Sequence, residues 1–269
     1  MGRWRTVIGN SDKHYYEQKS LWDYDYHILP SERQRLNAII ETMPEDIDTL
    51  MDIGCGNGFF INELTAQVKK TIGVDLSFEA LRHVKKMCCQ ADVECLPIKS
   101  MSADMVTMFE VLEHLHYNTY CKIRETLPEL TRKYIMISVP NEQELDYSLV
   151  TCPKCRSGFN PRYHLRSFNA DGLKDLFKGF KVLSLGFVGP WEYSYHRFFL
   201  KLRYGGVRRI MSENTVCPNC GYTNQVAMKT AVINRGETKR NEMFELIMLP
   251  KRLFRQKKRR WILALYQKM

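Results

Sequence analysis

One short run constrains the fold of this chain more than any other: Asp52-Ile53-Gly54-Cys55-Gly56-Asn57-Gly58, with a glycine at every second position behind an acidic residue. Glycine lets the backbone turn tightly and approach a ligand closely, and the free N–H groups of a chain entering a helix favour polar or anionic groups. The run follows residues 49–53, whose apolar character suits a strand buried on both faces, and it opens helix-like apolar spacing over 58–68. Strand-like runs recur at 71–76, 104–109 and 134–139, with helical spacing again at 78–88. Alternation of this kind predicts a parallel sheet with right-handed crossovers. Asp75 ends the second strand run, where a carboxylate can accept both hydroxyls of a ribose.

Composition narrows the class without selecting a partner. A chain of 269 residues that is 44% hydrophobic and 12% aromatic can bury a real core, which excludes disorder as its default state. Its formal charge of +10 favours acidic partners, whether phosphorylated substrates, nucleic acid or an anionic membrane surface. The first twenty residues hold no apolar stretch, and nowhere do eighteen apolar residues run together, so the expectation is a cytoplasmic protein with no membrane span. Nine cysteines in such a setting serve metals or packing more readily than disulfides.

A third element follows the glycine loop and Asp75. Ala91-Asp92-Val93-Glu94 precedes Leu96-Pro97, and Ser102-Ala103-Asp104-Met105-Val106 leads into the fourth strand region. With these in order, the sequence from Asp52 to Asn141 resembles the class I S-adenosylmethionine-dependent methyltransferases. The resemblance implies a Rossmann-like α/β fold with a seven-stranded, mostly parallel sheet and an antiparallel edge strand. It implies S-adenosyl-L-methionine as cofactor, held by Asp52, Gly54, Cys55, Gly56, Gly58, Leu76, Val93 and Phe109, with Asp75 at the ribose and Asp92 at the adenine amine. The sulfonium of that donor makes its methyl electrophilic, so such an enzyme must align an acceptor and exclude water. A hydroxyl acceptor must also lose a proton, which requires a base or a metal.

Phe109-Glu110-Val111-Leu112-Glu113-His114 stands where acceptor-side residues sit in this family, at the carboxyl ends of parallel strands. In a helix, positions 110, 113 and 114 would share one face. The E-x-x-E-H form resembles the divalent-metal site of ubiquinone-pathway O-methyltransferases and of small-RNA 3′-terminal 2′-O-methyltransferases, with His164 in the place of the further downstream histidine. Glu110, Glu113, His114 and His164 are therefore the candidate catalytic residues, and together a candidate second divalent-metal site. Family members that use no metal have Glu or His lining the pocket or capping the helix instead, and that alternative stands beside the first. Ser138-Val139-Pro140-Asn141-Glu142 resembles the turn that walls the acceptor pocket in O-methyltransferases acting on small molecules or glycans.

Cys152-Pro153-Lys154-Cys155 and Cys217-Pro218-Asn219-Cys220-Gly221 each form a knuckle able to turn two sulfurs toward one tetrahedral ion. Four thiolates leave no open position, so the expected zinc at Cys152, Cys155, Cys217 and Cys220 is structural. The resulting organisation is a lid or cap over 1–45, in which Tyr15, Tyr16, Trp22 and Tyr24 either cover the ligands or simply cover the sheet. A methyltransferase core spans 46–190 and 241–250, with a late strand over 243–249. A zinc-knuckle insertion covers 151–164 and 191–240, and a basic tail covers 251–269. The tail, with seven basic residues from 251 to 260 before the apolar run 261–266, could touch an anionic membrane or guide a phosphorylated substrate, or it is a solvated tail that docks by its apolar end. The expected activity is O-methylation of a sugar or small-molecule hydroxyl in a glycan or natural-product pathway. An RNA 2′-O-methyltransferase and a non-catalytic adaptor that binds the donor are the alternative readings.

Overall fold

The computed structural model describes residues 11–23, 28–64, 68–145, 148–195, 209–211, 215–222 and 255–269. The chain divides into two compact units: Tyr16–Gln143, Leu165–Pro190 and Arg259–Met269 form one, and Met1–Tyr15, Glu144–His164 and Trp191–Lys258 the other.

The first unit is built on β1 (Thr49–Ile53), β2 (Lys70–Asp75), β3 (Met87–Gln90), β4 (Ala103–Phe109) and β5 (Thr131–Pro140), with β6 (Phe180–Tyr195) and β7 (Arg255–Lys268) completing the sheet. Their spatial order is β3-β2-β1-β4-β5-β7-β6. β1 to β5 pair in parallel, and β7 runs antiparallel to β5. This is the mostly parallel, seven-stranded Rossmann-like sheet that the sequence predicts, its antiparallel strand one place in from the edge.

Successive side chains of the strands feed two cores. Met51, Ile53, Val106, Met108, Ile135 and Ile137 lie in one, and Leu50, Met105, Met136, Leu263 and Leu265 in the other. The period-two alternation sends every second residue to the opposite face, so a strand apolar at every position is buried on both. Helix α1 (Pro30–Thr42) covers the second core with Leu36 and Ile39. After the short α2 (Phe78–Leu81), helix α3 (Tyr117–Leu130) covers the first core with Ile123, Leu127 and Leu130, and α4 (Ala170–Lys174) adds Leu173. At the opposite end of the strands from the glycine loop, Asp104 ties three elements together. It accepts from the N–H groups of Asp48 and Thr49, from the Thr49 hydroxyl, and from Arg132 Nε at 2.9 Å.

Several local expectations change. The run 58–68 forms only a 3-10 turn at Ile61–Glu63 among its described residues. The run 78–88 breaks after Leu81 and re-forms as β3. The stretch 251–269 is no tail over its described part: Trp261 to Gln267 pair with Pro140 to Tyr134, because six consecutive apolar residues gain most between β5 and β6. The late strand expected at 243–249 lies outside the described residues, as does Tyr24.

The second unit has a small sheet in which Val150–Thr151 pairs antiparallel with Gly158–Phe159 and parallel with Arg209–Ile210. Its core is Val150, Cys152, Phe159, Tyr163, Met211 and Cys217. Tyr15 stacks on Tyr163 at 3.7 Å between centroids, and the Tyr163 hydroxyl donates to the carbonyl of Val216.

Candidate functional site

The carboxyl end of β1 delivers the chain into a loop that only glycine can make. Gly54, Gly56 and Gly58 have φ of +74°, +54° and +78°, in the left-handed region. A Cβ on Gly54 would stand 2.3 Å from Val111 Cγ2. The N–H groups of Gly54 and Cys55 both donate to the carbonyl of Val74 at the end of β2. That holds the loop against the strand carrying Asp75.

Asp75 faces this loop. Its Oδ2 accepts from Gly56 N–H at 2.8 Å and its Oδ1 from Ser77 N–H at 2.9 Å. Burial pushes its pKa up, and the backbone donors only partly offset this. Asp52, within β1, accepts from the Thr107 hydroxyl at 2.6 Å. Burial raises it to about 7 against that hydrogen bond, with the charge of Asp75 adding to the rise and Arg35 opposing it. Leu76 accepts from Gln90 Nε2 at 3.0 Å. Phe109 ends β4 and packs edge-on against Phe60 at 4.9 Å. Asp92 and Val93 follow β3 in a turn closed by Cys95 N–H to the Asp92 carbonyl, with Asp92 exposed and Val93 packed on the core.

The expected helical convergence of positions 110, 113 and 114 does not form. Glu110 turns at φ +55°, and α3 starts only at Tyr117, so residues 111–116 are a turn. The Glu110 carboxylate is engaged elsewhere: it accepts from Trp261 Nε1 at 2.7 Å and Ser138 Oγ at 3.0 Å and pairs with Arg35 at 3.6 Å. With both oxygens so committed, Glu110 is a link between α1, β4, β5 and β7 and not a ligand beside Glu113. Glu113 is fully buried, and neither of its oxygens has a hydrogen-bond partner among the described residues. Burial, with Glu110 next, holds its pKa well above the usual carboxylate range. His114 Nε2 lies 3.9 Å from it, and Tyr16 meets the imidazole edge-on at 6.2 Å. His164 is buried in the second unit.

Arg35 and Glu17 of this region carry no sequence signal strong enough to mark them, whereas Trp22 belongs to the aromatic cluster expected to cover either the ligands or the sheet. Arg35 of α1 pairs with Glu32 at 2.7 Å as well as with Glu110, and stacks over Trp261 at 5.0 Å. Trp22 lies over Gly56, and Glu17 reaches the N–H groups of Phe78 and Glu79. For Arg35 an arginine on an amphipathic helix just before the first strand is the one hint available, and Glu17 acts across a long separation.

In the second unit the four expected thiols converge. Cys152 and Cys220 sulfurs are 3.7 Å apart, Cys155 and Cys217 sulfurs 3.5 Å, and all four lie within 4.8 Å of one another. Thiolates about 2.3 Å from a tetrahedral zinc ion stand roughly 3.8 Å apart, so the set fits that ion. The two knuckles repeat one backbone pattern. Cys152 N–H donates to Ser157 and Arg156 N–H to Cys152, just as Cys217 N–H donates to Tyr222 and Gly221 N–H to Cys217. Arg156 and Gly221 hold the matching left-handed position, at φ +61° and +65°.

Comparison with known proteins adds an independent line. Residues 51–132 match the methyltransferase domain family. A probable S-adenosylmethionine-dependent methyltransferase of Mycobacterium tuberculosis is 29% identical over 145 residues, covering 52% of this chain and 48% of that protein. A ubiquinone biosynthesis O-methyltransferase of Nitrosomonas europaea is 27% identical over 112 residues, covering 38% of this chain and 47% of the relative. The chain thus spans about half the length of the curated relatives it matches. Among solved structures, an S-adenosylmethionine-dependent methyltransferase from Archaeoglobus fulgidus superposes with a TM-score of 0.51 at 19% identity, over 91% of this chain and 100% of that one, a likeness of fold.

Proposed function

We propose that this chain, whose residues 51–132 match the methyltransferase domain family and lie within the seven-stranded sheet, transfers a methyl group to a hydroxyl of a sugar or small molecule. The observation that carries the donor half is the pairing of Asp75 with the glycine loop, which sets one half-buried carboxylate against the Gly56 N–H at the mouth of the parallel sheet. Gly54, Gly56 and Gly58 let a ligand lie against bare backbone, Asp75 accepts the hydroxyls of its sugar, and Asp92 and Val93 flank its base. When bound, the donor supplies an electrophilic methyl on a sulfonium.

On the acceptor side, His114 takes the hydroxyl proton, with the Glu113 carboxyl 3.9 Å from its Nε2. His164, placed by its position in the sequence, is the other proposed proton acceptor. The ubiquinone-pathway relative supports a hydroxyl acceptor. The charge of +10 supports one bearing phosphate or another anion. In the second unit, Cys152, Cys155, Cys217 and Cys220 would hold a structural zinc ion, and four converging thiols suit a reducing, cytoplasmic setting. No described helix is long and apolar enough to cross a membrane.

Calorimetry with S-adenosylhomocysteine tests the donor assignment. The wild type should give a saturable heat that Gly56→Arg abolishes. A wild type without heat, or a variant that binds as well as wild type, would overturn the reading. Turnover of radiolabelled donor on any hydroxylated acceptor separates an enzyme from an adaptor.

A further inference from the structure

Helix α3 carries Tyr117, Tyr120 and Arg124 at the three- and four-residue spacing that makes neighbours on one helix face. Tyr117 is 73% exposed, and the Tyr120 ring meets two guanidiniums. Arg124 Cζ stands 5.6 Å from its centroid, and Arg166, from the segment before α4, lies over it at 3.8 Å. Arg166 also borders the turn that bears His114. Its Nη2 donates to the Leu115 carbonyl, and Leu165 N–H donates to the Glu113 carbonyl at 2.7 Å, so residues 165–166 hold that turn on both sides of His114. All of these residues lie in the first unit.

What the two arginines lack is an acid. Among the described residues neither pairs with a carboxylate: Arg124 directs its Nε to the Leu176 carbonyl at 3.1 Å, Arg166 has its one bond to Leu115, and Arg166 Nε is buried with no partner. Glu113, whose charge would bear on Arg166, offers it no hydrogen bond, since both of its oxygens are without a partner among the described residues. A half-buried guanidinium with no counter-charge is unfavourable, and its planar fork matches a phosphate through two parallel hydrogen bonds. We propose that Arg166 and Arg124 form a clamp for a phosphate group of the methyl acceptor, which brings the acceptor hydroxyl to the turn bearing His114. The inference rests on the methyl-transfer reading above and names its acceptor class, a phosphorylated hydroxy compound. Two guanidiniums suit a dianion better than a single carboxylate. The Tyr120 ring orients both planes without occupying their N–H donors, so the clamp is set before the ligand arrives. Through Leu115, Arg166 ties the clamp to the acceptor turn and acts as a specificity-determining residue: a hydroxyl compound with no anion has no anchor there.

Calorimetry with inorganic phosphate, at an ionic strength fixed by chloride and with S-adenosylhomocysteine present, tests this on the full chain. The wild type should bind phosphate saturably, and acetate roughly tenfold more weakly. Arg166→Met and Arg124→Met should each weaken phosphate binding about tenfold, the scale of a charge-assisted hydrogen bond, while the heat of S-adenosylhomocysteine binding stays as in the wild type. Lys122→Met removes an exposed cation of the same helix and should change neither. Arg166→Lys keeps the charge without the fork, and it too should bind phosphate more weakly than the wild type, in a protein closer to the native fold than Arg166→Met. Saturating phosphate should also shift the imidazole proton resonance of His114, assigned with His114→Gln. The clamp is overturned, and the donor reading left intact, by a wild type that binds S-adenosylhomocysteine but not phosphate, or by acetate binding as tight as phosphate. An equal loss in Lys122→Met, wild-type affinity in either Arg166 variant, or a His114 resonance that phosphate leaves in place would overturn it in the same way. A wild type that gives no heat with S-adenosylhomocysteine removes the donor reading and the clamp together.

Discussion

Asp52 shows how one buried atom sets a pH dependence for the whole fold. In the folded chain, burial lifts its pKa from an ordinary 3.8 to about 7. Below about pH 4 the carboxyl is protonated whether or not the chain is folded, so nothing is lost. Between about 4 and 7 the unfolded chain ionises while the folded one keeps its proton, so stability falls as pH rises, and the full cost is present above 7. Asp52→Asn removes the titration but keeps an oxygen for the Thr107 hydroxyl. Denaturant unfolding at pH 4.5 and pH 8 should therefore show the variant gaining on wild type by up to a few kcal/mol at the higher pH. An equal difference at the two values would mean that Asp52 is ionised in the fold. Asp104 has the opposite sign. Burial alone would raise it, but Arg132, Thr49 and two backbone donors outweigh burial and hold it well below the carboxylate range. What Asp104 contributes is lost only as pH falls.

At the scale of elements, the two C-terminal strands reach the site through a single glycine. Gly189 of β6 has φ +83°, and a Cβ there would lie 2.3 Å from the Trp261 ring of β7. Trp261 in turn donates to Glu110, which Arg35 and Ser138 also hold. Gly189→Ala should cost about 2–4 kcal/mol in thermal or denaturant unfolding, from left-handed strain together with overpacking. A cost under about 1 kcal/mol would show that Trp261 moves aside freely. None of this chain of contacts is written locally in the sequence. The strands at 49–53, 71–76, 104–109 and 134–139 are legible because burial on both faces demands continuous apolar runs. β3 is not, because all four of its residues are exposed and leave no periodic mark. The helix expected from Glu110 is missing for a similar reason: the left-handed backbone at Glu110 breaks the turn, and a residue type does not announce its φ. The basic and apolar run of β7 looks like a tail until its partner is known, and that partner, β5, lies more than a hundred residues away. In the site, the glycine loop and Asp75 are legible from spacing and Trp22 as one of an aromatic cluster, whereas its partner Gly56 lies 34 positions downstream and Glu17 contacts a residue 61 positions downstream.

At the scale of the molecule, the residues of the donor cradle and the four thiols fall into different units. Two sites with no residue in common should fail separately. A closed four-thiolate zinc site contributes folding free energy because its ligands converge only in the folded state. Cys217→Ser should therefore lower the metal content from roughly one zinc per chain. It should also lower the melting temperature, while the heat of S-adenosylhomocysteine binding persists. Gly56→Arg should do the reverse, losing the ligand and keeping the zinc. Elemental analysis and calorimetry on the same two preparations give the four readings required. A Cys217→Ser protein with unchanged metal would remove the zinc assignment. Loss of both properties in either variant would mean that cradle and thiol cluster fold as one cooperative body.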